Sequence, residues 1–226
     1  MAQIYVIGAS RGIGLELVRQ HAEAGDQVFA FVRDEKHATS LAQLAEGYSV
    51  SVHEMDMASD TSVAEGASDS GTEKVDILYI VGGIVGKTEP MLEPGDWATF
   101  DDAIEIMLKG PLRVLRSFLP RLGQGSKVIV FSSQLAASTW PYGGYYPYVA
   151  AKSGLNRMIR SVAIDVKDRG IVIGLVHPGY VKTDMGGPEA DISPTESAEG
   201  IRKLAHSWTL DKSGDFYKWN GEPHAW

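Results

Sequence analysis

Apolar residues fall in short, nearly unbroken runs at Ile4 to Ile7, Val28 to Val32, Tyr48 to His53, Val75 to Val81, Lys127 to Phe131 and Ile171 to Val176. Runs of this length without polar alternation predict strands buried on both faces. Between them, Ile13 to Glu23, Trp97 to Leu122 and Tyr148 to Lys167 carry apolar residues at three- and four-residue spacing, the period of a helix with one buried face. The alternation predicts an α/β fold: a doubly wound, Rossmann-type parallel sheet of about seven strands with helices on both faces. A seventh short strand is expected near Phe216 to Trp219.

No repeat, linker or low-complexity tract divides the 226 residues, so a single domain over 1–226 is expected, which is within the ordinary size range for an α/β unit. In such a sheet, ligands sit beyond the carboxyl ends of the strands, and that is where the distinctive residues fall. Gly8, Ala9, Ser10, Arg11, Gly12, Ile13 and Gly14 follow the first strand and open the first helix. Glycines allow a tight turn and a close backbone approach to a pyrophosphate, which the unpaired N–H groups of the helix start can bind.

The second strand ends in Phe31-Val32-Arg33-Asp34. An arginine here suits the 2′-phosphate of NADP, an acidic residue the ribose hydroxyls of NAD. Arg33 comes first, and Arg11 adds a second cation, which points to NADP(H). The competing arrangement leaves Arg33 in solvent and gives the ribose to Asp34.

Tyr148 and Lys152 stand one helical turn apart and share a face. A nearby ammonium is expected to lower the phenol pKa from about 10, giving an acid/base pair. Ser132-Ser133 ends the fifth strand upstream. Strand alternation aims Ser133, rather than Ser132, at the same place.

Glycine loop, Ser133, Tyr148, Lys152 and the Pro178-Gly179-Tyr180-Val181-Lys182-Thr183 segment occur in an order that resembles the short-chain dehydrogenase/reductase family over almost the whole chain. Gly143 to Tyr148 and His177 to Gly187 are similar to its C-factor and sniffer-type carbonyl reductase branch. The resemblance implies an NADP(H)-dependent oxidoreductase acting on a small carbonyl or alcohol. Tyr148 would donate the proton, Lys152 would hold the nicotinamide ribose and tune Tyr148, and Ser133 would orient the carbonyl. Gly8, Ser10, Arg11, Gly12, Ile13, Gly14, Arg33, Asp56, Gly82, Gly83, Tyr148, Lys152, Pro178, Gly179, Val181 and Thr183 would bind the cofactor, with Asp56 at the adenine amino group. A homodimer through the long helices is also implied by the family.

Three positions depart from the family pattern. Ile7 stands where threonine is usual, Ile80-Val81-Gly82-Gly83 where Asn-Asn-Ala-Gly is usual, and Met107 where the proton-relay helix carries asparagine. Exchanging polar groups for Ile7 and Val81 together leaves neither side with an unpaired partner. Met107 is different, since a thioether is at best a weak acceptor. A second class of function therefore stands beside the enzyme: an NADP-binding regulatory or signalling protein with little turnover.

Composition narrows the partners. A formal net charge of -8 gives no general attraction for nucleic acid or anionic membranes, and no apolar stretch approaches the roughly 20 residues of a membrane span. There are no cysteines and no charged leader, which together point to the cytoplasm. None of the six histidines has zinc spacing, and no metal is expected. Leu135, Trp140, Tyr145, Tyr180 and Met185 could line an apolar substrate pocket or serve as ordinary packing. The Gly- and Pro-rich Asp184 to Pro194 suggests a small lid.

Overall fold

Seven parallel strands lie in the order β3-β2-β1-β4-β5-β6-β7 in the computed structural model, which describes residues 1–84 and 97–226. The strands are β1 (Gln3–Ile7), β2 (Gln27–Val32), β3 (Val50–Glu54), β4 (Ile77–Ile80), β5 (Lys127–Phe131), β6 (Val172–His177) and β7 (Phe216–Lys218). The helices are α1 (Gly12–Glu23), α2 (Thr39–Gly47), α3 (Asp60–Asp69), α4 (Trp97–Ile104), α5 (Gly110–Phe118), α6 (Tyr146–Asp165) and α7 (Pro194–Ser207). Strand order reverses between β1 and β4, so the crevice above this pair is where a ligand is expected.

The strands are apolar throughout because both sheet faces are covered. Along β1, Tyr5 and Ile7 join one core with Phe31, Phe118 and Leu155, while Ile4 and Val6 join the other with Leu17, Tyr79 and Trp208. Ile7 is paired with Phe31 on one side and Ile80 on the other, which brings the ends of β2, β1 and β4 level.

The expected helix from Trp97 to Leu122 is interrupted. Five residues, Glu105–Lys109, form a π-helical turn between α4 and α5, and the helical stretch ends in a 3₁₀ turn at Leu119–Arg121. The wide turn is pinned from outside: Arg113 bonds the Glu105 carboxylate and also reaches Asp60 Oδ1 at 2.9 Å and the Met57 carbonyl at 3.2 Å. Apolar periodicity is blind to this, since one added residue per turn leaves the polar and apolar composition unchanged.

Two short helices, α2 and α3, and the longer α7 were not legible as helices from periodicity. For α7 a usable signal exists in Ser193-Pro194-Thr195-Glu196: the Ser193 hydroxyl accepts from the Glu196 N–H at 3.1 Å, and proline occupies the first helical position. The Gly- and Pro-rich lid expected up to Pro194 is in fact an internally bonded loop. Val181 bridges Ile192, and the Lys182 N–H donates to the Ile192 carbonyl at 2.9 Å.

Candidate active site

A cleft of about 490 Å³ opens over the carboxyl ends of the strands. β1 delivers the glycine loop to it. The Gly8 and Ala9 N–H groups both donate to the Phe31 carbonyl at 3.0 Å, which folds the chain sharply back. Gly8 has a φ of 89°, and a Cβ there would sit 2.9 Å from the Gly82 nitrogen; a Cβ at Gly14 would be 2.1 Å from the Gly8 carbonyl oxygen. Glycine is therefore required at both ends of the turn. Arg11 occupies the N-cap of α1 without a side-chain cap bond, so the first N–H groups of the helix are left for a ligand.

Of the residues expected from the sequence, Gly8, Ser10, Arg11, Gly12, Ile13, Gly14, Arg33, Asp56, Gly82, Gly83, Tyr148, Lys152, Pro178 and Thr183 all line this one cleft. Three do not. Gly179 lies behind the wall, where a Cβ would strike Ile192 at 2.5 Å, and Val181 is buried in its bridge to Ile192. Ser133 is buried too, but its hydroxyl is within hydrogen-bonding reach of the Tyr148 phenol and also accepts from the Leu135 N–H at 3.2 Å.

Ser132 lines the cleft. Its hydroxyl is turned to Asn156, whose buried amide nitrogen has no partner among the described residues. Lys182, Asp184 and Ile106 are cleft residues that sequence reasoning missed, although the first two flank the expected Thr183; of the candidate apolar pocket residues, Met185 lines the cleft. Asp34 caps the short 3₁₀ turn after β2, accepting from the Lys36 N–H at 2.9 Å, while no ion pair engages Arg33 among the described residues. Asp34 is thus given a structural task at the position where it competed with Arg33.

α6 places Tyr148 and Lys152 side by side, with the ammonium 6.0 Å from the phenol ring centre. Lys152 is buried and donates to the Phe131 carbonyl at 2.7 Å, and burial pulls its pKa down to about 8. It is mainly protonated at neutral pH. The expected lowering of the Tyr148 pKa is not what the structure gives. Burial raises it, and the Ser133 hydrogen bond offsets only part of that rise. Lys152 contributes nothing to that balance; its ammonium donates instead to the Phe131 carbonyl.

Met107 lies in the π turn, fully buried beside the same lysine. A Cβ at Gly83 would be 3.5 Å from the Met107 sulfur and 3.8 Å from Lys152 Nζ, so the three meet at one point. His177 accepts from the Gln134 N–H at 3.2 Å and packs edge-on against His224; its pKa falls to about 3 through burial. It is a neutral packing residue that ties β6 to the loop following Ser133.

A glycine turn at the switch point, an uncapped helix start, a serine just after β5 and a Tyr/Lys pair on α6 beside it are the features of a dinucleotide-dependent oxidoreductase. The family profile for short chain dehydrogenases matches residues 2–192, and the chain belongs to that family. It is 36% identical over 160 residues to the C-signal of Myxococcus xanthus, covering 69% of this chain and 95% of that protein. Among solved structures, carbonyl reductase Sniffer of D. melanogaster superposes with a TM-score of 0.93 at 25% identity, each chain covered in full. The NADPH-bound carbonyl reductase from chicken fatty liver gives 0.91 at 27% identity, covering 100% of this chain and 99% of that one.

Proposed function

We propose that the protein is an NADP(H)-dependent carbonyl reductase in which Ser133, Tyr148 and Lys152 carry the proton chemistry. The observation that supports this most directly is that Tyr148 and Lys152 line the same cleft as the glycine loop and Arg33, with Ser133 buried behind it in hydrogen-bonding reach of the Tyr148 phenol. Arg33 and Arg11 would meet the 2′-phosphate, the start of α1 the pyrophosphate, and Lys152 the nicotinamide ribose. When bound, NADP(H) supplies or accepts the hydride.

In the reducing direction Ser133 and Tyr148 hold the carbonyl oxygen. As the carbon–oxygen π bond breaks, the oxygen takes the Tyr148 proton, leaving a phenolate that the nearby Lys152 ammonium stabilises. Burial raises the Tyr148 pKa, so the phenol carries its proton at neutral pH, and donation relies on the Ser133 hydrogen bond and the Lys152 charge to stabilise the phenolate left behind. Tyr148 then recovers a proton before the next cycle. The alternative of a regulatory protein without turnover is not favoured, because nucleotide binding alone needs no serine in hydrogen-bonding reach of a tyrosine beside Lys152.

Among the described residues no helix is long and apolar enough to cross a membrane. We place the protein in the cytoplasm, as one domain and a homodimer, with a small carbonyl or alcohol of apolar body as substrate. The test is NADPH oxidation against a panel of aldehydes and ketones. NADPH is expected to bind about 10- to 150-fold tighter than NADH, the worth of a charge-assisted bond. Tyr148→Phe is expected to bind NADPH normally and reduce carbonyls about 10²- to 10⁴-fold more slowly; near-normal turnover in that variant would remove Tyr148 from the mechanism.

A further inference from the structure

Arg11, expected at a phosphate, is already engaged. Its Nη1 lies 2.7 Å from Asp184 Oδ2, an ion pair joining the glycine loop to the loop after β6 across 173 positions of sequence. Resting on the NADP(H) reading above, we propose that Asp184 is a carboxylate competitor of the 2′-phosphate: it holds the Arg11 guanidinium and thereby sets how tightly, and how selectively, NADP(H) is bound.

Both side chains are about three-quarters exposed. An exposed pair of this kind is weak and readily exchanged, whereas a phosphate offers more charge and more acceptor oxygens to the same guanidinium. Arg11 can therefore pass from carboxylate to phosphate at small cost. The loop that carries Asp184 does not depend on Arg11 for its shape. It is closed by the Val181 to Ile192 bridge, by the Gly187 N–H donating to the Thr183 carbonyl at 2.8 Å, and by the Gly186 N–H donating to the Thr183 hydroxyl at 3.3 Å.

Nor can Asp184 drift far from the glycine loop. The Thr183 methyl would lie 3.1 Å from a Cβ on Gly12, so the two loops touch next to the ion pair. Asp184 is thus held beside the cofactor loop by packing, and its charge is spent on Arg11. The cost of that pairing falls on NADPH alone, because NADH carries no 2′-phosphate to claim the freed guanidinium.

Dissociation constants for NADPH and NADH, read by cofactor fluorescence, test this in four proteins: wild type, Asp184→Asn, Arg11→Ala and the double variant. Asp184→Asn is expected to tighten NADPH about two- to five-fold, the worth of an exposed ion pair, and to leave NADH unchanged. In the Arg11→Ala background the same substitution is expected to do nothing. Weaker NADPH binding, an equal shift for both cofactors, or an unchanged effect without Arg11 would overturn the proposal. A wild-type chain that bound neither cofactor would overturn the dinucleotide reading itself, and this proposal with it.

Discussion

Two bases are buried on opposite faces of the sheet, and they are treated differently. His21, on α1, lies 2.8 Å from Asp26 Oδ2 through Nδ1 and 3.1 Å from the Tyr79 hydroxyl through Nε2; since a carboxylate only accepts, the neutral ring donates to Asp26 and accepts from Tyr79. Burial pulls its pKa down to about 4, so it is neutral at pH 7 with both nitrogens satisfied. Lys152, on α6, is as deeply buried, yet with a pKa of about 8 it keeps its charge, and it borders the open cleft. Burial opposes charge in both places. Charge is kept only at Lys152 because lysine starts from 10.5 and histidine from 6.5, and it is the charged group that faces the cleft, as the proposed proton chemistry requires.

The sharpest break in this comparison is Lys152→Met. It removes a desolvated charge and also the hydrogen bond to the Phe131 carbonyl, two effects that offset, so stability at pH 7 is expected to change by less than about 1.5 kcal/mol. Carbonyl reduction is expected to fall by about 10²- to 10⁴-fold. A pH signature accompanies it. The folded pKa of about 8 lies below the ordinary 10.5, so between those values the unfolded chain holds more protons and wild-type stability rises with pH. Melting curves of the variant should lack that rise; a variant that kept it would place the titration elsewhere.

His21→Leu is the converse. It strips Tyr79 and Asp26 of a shared partner and is expected to cost about 1–3 kcal/mol for each polar group left unpaired, while turnover of the folded fraction holds steady. Wild-type stability should decline as pH falls from 6.5 to about 4, because the unfolded histidine takes up a proton that the folded one refuses. Denaturant melts across that range check it, and equal acid sensitivity in the variant would assign the decline to other groups.

The same contrast explains what the sequence discloses. β5 is predicted to the residue, and β1, β2 and β6 to within one residue at each end, because strands covered on both faces leave a continuous apolar run. The glycine loop, Tyr148 and Lys152 are legible because their spacing is local. What was hidden depends on contacts between distant segments: Arg11 with Asp184, Ser132 with Asn156, and the burial that moves Tyr148 in the direction opposite to expectation. Helices α2 and α3 were hidden for another reason. They are short, and each buries few side chains, Leu41 in the first and Val63, Gly66 and Ala67 in the second, too few to set up a period.

Met107→Asn carries the smallest expected effect and probes the Lys152 side most finely. The Met107 sulfur closes one side of the lysine's pocket, and a thioether gives neither a donor nor a strong acceptor to a water beside the ammonium. In the proposed mechanism, proton return to Tyr148 would then run through the open cleft. An asparagine amide in the same place adds a donor and an acceptor where the π turn already widens the backbone, and a water held there would link Lys152 to solvent. Turnover is expected to rise by less than about tenfold, equivalent to about 1.4 kcal/mol, with a smaller solvent deuterium effect. Packing opposes the gain, since the site is fully buried and the exchange costs about 1 kcal/mol or more of stability. Comparing turnover and isotope effect in both folded, NADPH-binding proteins separates the two contributions. An unchanged isotope effect would show that protons already reach Tyr148 freely and that Met107 only fills space.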